Sequence, residues 1–251
     1  MHMVKKKKQR PKYIRRRLLY DGLIVASIAA VFFGGLWLMA SSPSFMLFGH
    51  IVTHVATDEK VVALTLDDGP LPVHTEETLA ELQKLDVKAT FFTIGVESKR
   101  HPEQLKKIIA AGQEVGNHSY SHRVMALMTY GDVAREIEQN DTLVRDAGYT
   151  GQIPFRVPYN IKYITLPYYL MRHDRPDISH NVSTNEGYNF TANQIATDVV
   201  SKVKPGSIVL LHPMYNHTAT SRAAIPLIVN ELRAAGYTFV TVSQLLTYEK
   251  S

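Results

Sequence analysis

Four short segments of this 251-residue chain concentrate side chains that do hydrolytic chemistry. In Thr65-Leu66-Asp67-Asp68-Gly69-Pro70 two carboxylates stand side by side after an apolar run. Adjacent like charges cost stability unless a cation lies beside them. Gly69 and Pro70 mark a turn that exposes the pair, and a turn or helix-capping role is the plainer alternative. His118-Ser119-Tyr120-Ser121-His122 carries imidazoles four residues apart; on a helical turn both would face one ion. Two histidines and a carboxylate leave coordination positions open for water and substrate, although solvated or core histidines can have the same spacing. Phe155-Arg156-Val157-Pro158-Tyr159 places an arginine near the end of an apolar strand, where burial demands a carboxylate partner. Leu210-Leu211-His212 ends a strongly apolar run on a histidine, which taken alone reads as a core residue.

The composition limits what these residues can bind. There is no cysteine, so disulfides and thiolate metal sites are excluded, while eleven histidines are available. The net charge of +5 is concentrated at one end. Nine Lys or Arg and no acid fall before Tyr20, and the other 19 basic residues face 23 acidic ones. The positive charge therefore describes a tail and not a nucleic-acid-binding surface.

These clusters need elements that bring several strand ends together. Apolar, β-branched runs predict strands at Val61–Leu66, Ala89–Ile94, Gln113–Gly116, Ile153–Arg156, Ile178–Ser183, Ser207–Leu211 and Thr238–Val242. Helical patterns lie between them at Thr75–Leu85, Pro102–Ala111, Tyr130–Ala147, Thr191–Val203 and Arg222–Ala235, with a short one after Val242. Strands alternating with helices imply an α/β fold with a covered parallel sheet. Seven strands without a glycine fingerprint after the first favour an incomplete barrel, whose site lies at the carboxyl ends of the strands.

Upstream, no residue from Gly22 to Gly49 carries a formal charge, and Gly22–Ala40 is apolar. About 20 apolar residues suffice to cross the hydrocarbon core. The basic block before them predicts a cytoplasmic N-terminus and an extracytoplasmic remainder. A cleaved signal peptide shares this order of segments but has a shorter apolar region and a small-x-small cleavage site; a buried core helix is the other alternative. The division expected is a basic cytoplasmic tail over 1–21, a transmembrane anchor over 22–42, a linker over 43–58 and a catalytic domain over 59–251.

In order and spacing, the four clusters resemble those of the polysaccharide deacetylases, carbohydrate esterase family 4. The resemblance extends from about Val61 to Leu246 and includes Val87-Lys88-Ala89-Thr90-Phe91-Phe92 and Gly112 to Gly116. It implies a distorted (β/α)7 barrel; with the apolar segment read as one transmembrane helix before it, the expectation is a membrane-anchored bacterial member. It further implies a divalent metal held by Asp68, His118 and His122, commonly zinc, with cobalt, nickel or iron open. Asp67 would be the general base, Arg156 its orienting partner and His212 the general acid. The Tyr159 backbone N–H would meet the oxyanion, and Leu210 would line the acetyl pocket.

The family's fourth motif, Asp followed by Trp, is not intact. Over His180 to Tyr188, Glu186 would replace the Asp and Tyr188 the Trp; the one tryptophan, Trp37, lies in the apolar segment. The resemblance thus implies N-deacetylation of an amino-sugar polymer or oligomer in the cell envelope. The altered motif leaves two alternatives, an O-acetyl esterase of xylan type and a glycan-binding protein without turnover. No oligomeric state is legible.

Overall fold

The structure is a computed structural model that describes residues 12–186 and 189–250. It divides into two compact units, Met1–Met39 and Ala40–Ser251. The first contains most of helix α1, Lys12–Ala40, and Arg16–Ala40 is long and apolar enough to cross a membrane. Only 6% of its apolar window is buried, which separates α1 from a core helix.

The second unit contains seven strands and eight further α-helices among the described residues. In chain order these are β1 Ile51–Val52, β2 Val61–Gly69, α2 His74–Lys84, β3 Thr90–Thr93, α3 Gly95–Arg100, α4 Pro102–Ala110 and β4 Glu114–Asn117. Then follow α5 Tyr130–Asp146, α6 Thr165–Arg172, β5 Asp177–Ile178, α7 Ala192–Lys202, β6 Ser207–Leu211, α8 Ala219–Ala234, β7 Thr238–Val240 and α9 Val242–Leu246. Start chemistry is visible at α4, with Pro102 in its first turn, and at α5, where the Thr129 hydroxyl accepts from Asp132 N–H. Capping boxes start α7 and α9, at Thr191/Gln194 and Thr241/Gln244.

All pairings between strands are parallel. On one edge β2 pairs with β6; on the other it pairs first with β7 over Val61–Ala63 and then with β3 from Thr65 onward. β3 pairs with β4, and single bridges at Phe155 and Val182 carry the path from β4 past β5 to β6. The barrel therefore closes, irregularly. The strand expected at Ile153–Arg156 survives only as the bridging residue Phe155. Conversely, Ile51–Val52, inside the segment that reads as a linker, form β1 and pair with β5.

Every residue of β2 and β6 is buried, as expected for strands covered on both faces. Val62, Leu64 and Leu66 turn outward into a core shared with Leu82, Ile108, Val199 and Ile228. Ala63, Thr65 and Asp67 alternate with them and point inward, where Ala63 packs with Phe92, Ile178 and Ile208. Position 67 thus stands at the carboxyl end of an inward-facing row.

Candidate active site

A regular strand would send Asp67 and Asp68 to opposite faces. Between Asp67 and Gly69 the register of β2 against β3 slips by one residue, and Asp68 has φ 72°. This bulge bends the strand end so that both carboxylates approach one imidazole. His118 Nε2 lies 3.6 Å from Asp67 Oδ2 and 3.7 Å from Asp68 Oδ1. His122 Nε2 is 3.2 Å from Asp68 Oδ1.

The two histidines converge by a different route from the helical turn considered above. His118–His122 is a non-helical loop, with Ser119 and His122 at φ 62° and 54°. Side chains that were not evident as site residues hold it. Buried Asn117 accepts from Ser119 N–H at 2.8 Å and donates to Asp141 at 2.7 Å. Asn140 donates to the Ser119 carbonyl at 3.1 Å, and Ser119 Oγ accepts from His122 N–H at 2.9 Å. Glu136 accepts from Ser121 N–H at 2.7 Å and from its hydroxyl at 2.6 Å. Asn140 and Glu136 lie on one face of α5, an i, i+4 relation legible only once the loop is known to cross that helix.

Asp68, His118 and His122 each offer a ligand atom, all within 4.8 Å of one another. Asp68 Oδ1 is buried without a hydrogen bond; His122 is close, but the contact does not meet hydrogen-bond geometry. An unsatisfied buried carboxylate oxygen is costly, and a cation would remove that cost. His118 Nδ1 is 2.9 Å from the Arg156 carbonyl. If Nδ1 carries the proton, Nε2 presents its lone pair toward Asp68, as in histidine ligands oriented by a carbonyl. This donor set fits a divalent metal.

Asp67 is engaged differently. Arg156 donates from Nη1 to Asp67 Oδ1 at 2.7 Å and to Thr65 Oγ1 at 2.8 Å. Its other donors reach the carbonyls of Ile178 and Ser179, and its guanidinium lies 4.0 Å over the Phe92 ring. Burial alone would raise the Asp67 pKa, but Arg156, with His118 and His212, holds it below the usual carboxylate value. Asp67 is therefore an anion at neutral pH, with Oδ2 turned to the site.

Opposite, Glu186 grips His212 twice, accepting from its backbone N–H at 2.8 Å and pairing with ring Nδ1 at 2.9 Å. The Ser221 hydroxyl bonds the same carboxylate. Burial lowers the His212 pKa, yet the Glu186 hydrogen bond and the Asp67, Glu186 and Asp68 charges raise it to about 9. The proposed exchange of Glu186 for the missing Asp thus has a geometric counterpart, whereas Tyr188 lies outside the described residues.

Asp67, Asp68, His118, His122, Arg156 and His212 line a cavity of about 230 Å³, with Leu210 and Tyr159 also in its wall. Tyr159 has φ 56° and is largely exposed, with its ring 4.7 Å from that of His122. His180, not singled out from sequence, also lines the cavity; burial and Arg156 lower its pKa to about 4, so it is neutral. A larger cleft of about 720 Å³ between α2 and α4 has no comparable convergence of catalytic groups.

Known proteins resemble this chain in both sequence and fold. The polysaccharide deacetylase family profile matches residues 54–167. A peptidoglycan-N-acetylglucosamine deacetylase from Bacillus cereus is 31% identical over 217 residues, spanning 80% of this chain and 95% of the relative. A CE4 family pseudoenzyme from Bacillus anthracis superposes with a TM-score of 0.73 at 25% identity, covering 82% of this chain and 72% of that one. A family 4 acetyl xylan esterase from Clostridium thermocellum, in complex with cobalt, gives a TM-score of 0.70 at 32% identity, covering 75% and 91%. The chain belongs to the polysaccharide deacetylase family.

Proposed function

We propose that this protein is a metal-dependent hydrolase that removes N-acetyl groups from an amino-sugar polymer or oligomer, releasing acetate. The observation that carries this reading is the unequal engagement of two adjacent aspartates. Asp67 is fixed by Arg156, while Asp68 keeps an unsatisfied oxygen among two histidines.

Asp68, His118 and His122 would hold the metal, assigned as zinc, with cobalt, nickel or iron compatible with the same donors. When bound, it supplies Lewis acidity at the acetyl carbonyl and acidifies water in the site. Asp67 Oδ2 takes the proton of the attacking water, while Arg156 holds Oδ1 and fixes the carboxylate plane. The Tyr159 backbone N–H meets the charge developing on the carbonyl oxygen, and Leu210 bounds the methyl group. As the carbon–nitrogen bond breaks, His212 gives a proton from Nε2 to the departing sugar amine, while Glu186 holds Nδ1.

Residues 1–21 form a cytoplasmic tail, 22–42 the membrane anchor, 43–58 a linker that contributes β1, and 59–251 the catalytic domain outside the cytoplasm. The apolar helix after a basic segment supports assignment to a bacterial cell membrane, with envelope or exported glycan as substrate. The similar acetyl xylan esterase motivates a second reading, hydrolysis of O-acetyl esters. The full chain in detergent, with zinc added, is tested on peptidoglycan, N-acetylglucosamine oligomers and acetylated xylan. Acetate release should be faster from the amino sugars; faster release from xylan selects the ester reading, and no release from any substrate contradicts both.

A further inference from the structure

Immediately after α1 the chain is fastened to the loop that forms the mouth of the site. The Ala40 carbonyl accepts from Lys162 N–H at 2.9 Å, and the Ser42 carbonyl accepts from Lys162 Nζ at 3.1 Å. Lys162 is buried; its ammonium also donates to Asn160 Oδ1 at 2.8 Å and faces Asp177 at 3.6 Å. Asn160 and Tyr159 line the catalytic cavity. The same loop leads into α6, whose Leu166, Tyr169 and Leu170 are buried with Met125 and Val133.

The other face of this segment is also apolar. Ile164, Tyr168 and Met171 follow an i, i+4, i+7 spacing and are all exposed, Ile164 by 59%. Phe48 continues the surface, its ring 5.9 Å from that of Tyr168, and the ring of exposed Tyr130 lies 6.2 Å from that of Tyr168. Exposed Phe45 and Leu47 flank Phe48 in sequence. A short helix with apolar residues inside and outside has a second surface to bury.

Phe45 is five residues beyond Ala40, where the candidate span ends, and the Lys162 bonds hold Ala40 and Ser42 against the loop that continues into this surface. Aromatic side chains with an apolar body and polar tip favour the membrane–water interface, and exposed Arg172 beside Met171 can extend its charge to lipid phosphate. We propose that the face formed by Phe45, Phe48, Tyr130, Ile164, Tyr168 and Met171 rests in the headgroup layer of the membrane that α1 crosses. It rests on the reading of α1 as a span. Tyr159 is five residues from Ile164, at most about 18 Å of extended chain. The mouth of the site is consequently held close to the bilayer, and membrane-proximal glycan is the substrate within reach.

The cysteine-free sequence and its single tryptophan permit a test with an internal control. Tyr168→Cys, Met171→Cys and Lys106→Cys variants of the full chain are each labelled with an environment-sensitive dye. They are reconstituted into phosphatidylethanolamine–phosphatidylglycerol vesicles containing brominated lipid. Trp37, within α1, should be quenched in all three and so reports the span. Labels at 168 and 171 should shift to the blue and be quenched more by shallow than by deep bromine, while the label at 106 remains aqueous. Quenched Trp37 with labels at 168 and 171 as aqueous as that at 106 overturns the proposal and leaves the span intact. Labels shielded from aqueous iodide but unaffected by brominated lipid also overturn it, and point to a protein on this face. Unquenched Trp37 overturns the span reading and this proposal together.

Discussion

At Asp67 and Asp68 two identical side chains acquire different work from their surroundings. Arg156 neutralises the first, and two imidazoles surround the second. At His212, the Glu186 carboxylate raises the pKa toward about 9, against the effect of burial. Because the folded pKa is raised, this contact contributes stability fully below the unfolded value near 6.5, and loses it as pH rises through about 9. Glu186→Gln should therefore move the alkaline limb of kcat/KM to lower pH by about 1–3 units; an unmoved limb would remove Glu186 from the proton-donating side. The residue types were legible because carboxylate, imidazole and guanidinium chemistry is local. Their division of labour was only implied by resemblance, since it depends on distances across strands far apart in sequence.

Among the elements, the bulge at Asp68 and the loop Asn117–His122 do most to shape the site. Alternating β-branched runs and helix caps made the main strands and helices readable. The bulge was not, because no local propensity distinguishes a slipped register from a regular one. Nor was the shrinkage of Ile153–Arg156 to one bridge, which allows the Arg156 side chain to reach Thr65, Asp67 and two carbonyls inside the barrel. Helices α3 and α6 were missed because, at six and eight residues, they are too short to show a helical period. The α5 contact with the histidine loop gives a prediction at this scale. Glu136→Ala removes both acceptors of Ser121, and zinc affinity, measured by competition with a chromogenic chelator, should fall about 10–100-fold. Unchanged affinity would mean that the loop keeps its shape without α5.

In the whole molecule, the basic tail and apolar helix carry the proposed address, while the barrel carries the candidate active site. The charge asymmetry is concentrated before Tyr20, and a positive segment before a span stays in the cytoplasm. In intact spheroplasts, protease added outside should remove an epitope at the C-terminus and spare one at the N-terminus; the reverse pattern would invert the topology. The proposed function turns on Asp68, His118 and His122 holding the metal while Asp67 acts as base. The direct measurement is acetate release from N-acetylglucosamine oligomers by the full chain and its Asp67→Asn variant, before chelation, after it, and after zinc is restored, with bound zinc quantified in each sample. Chelation should abolish release and zinc restore it, while Asp67→Asn should retain zinc and lose about 10²–10⁴-fold in rate. Release that survives both chelation and Asp67→Asn would contradict these roles.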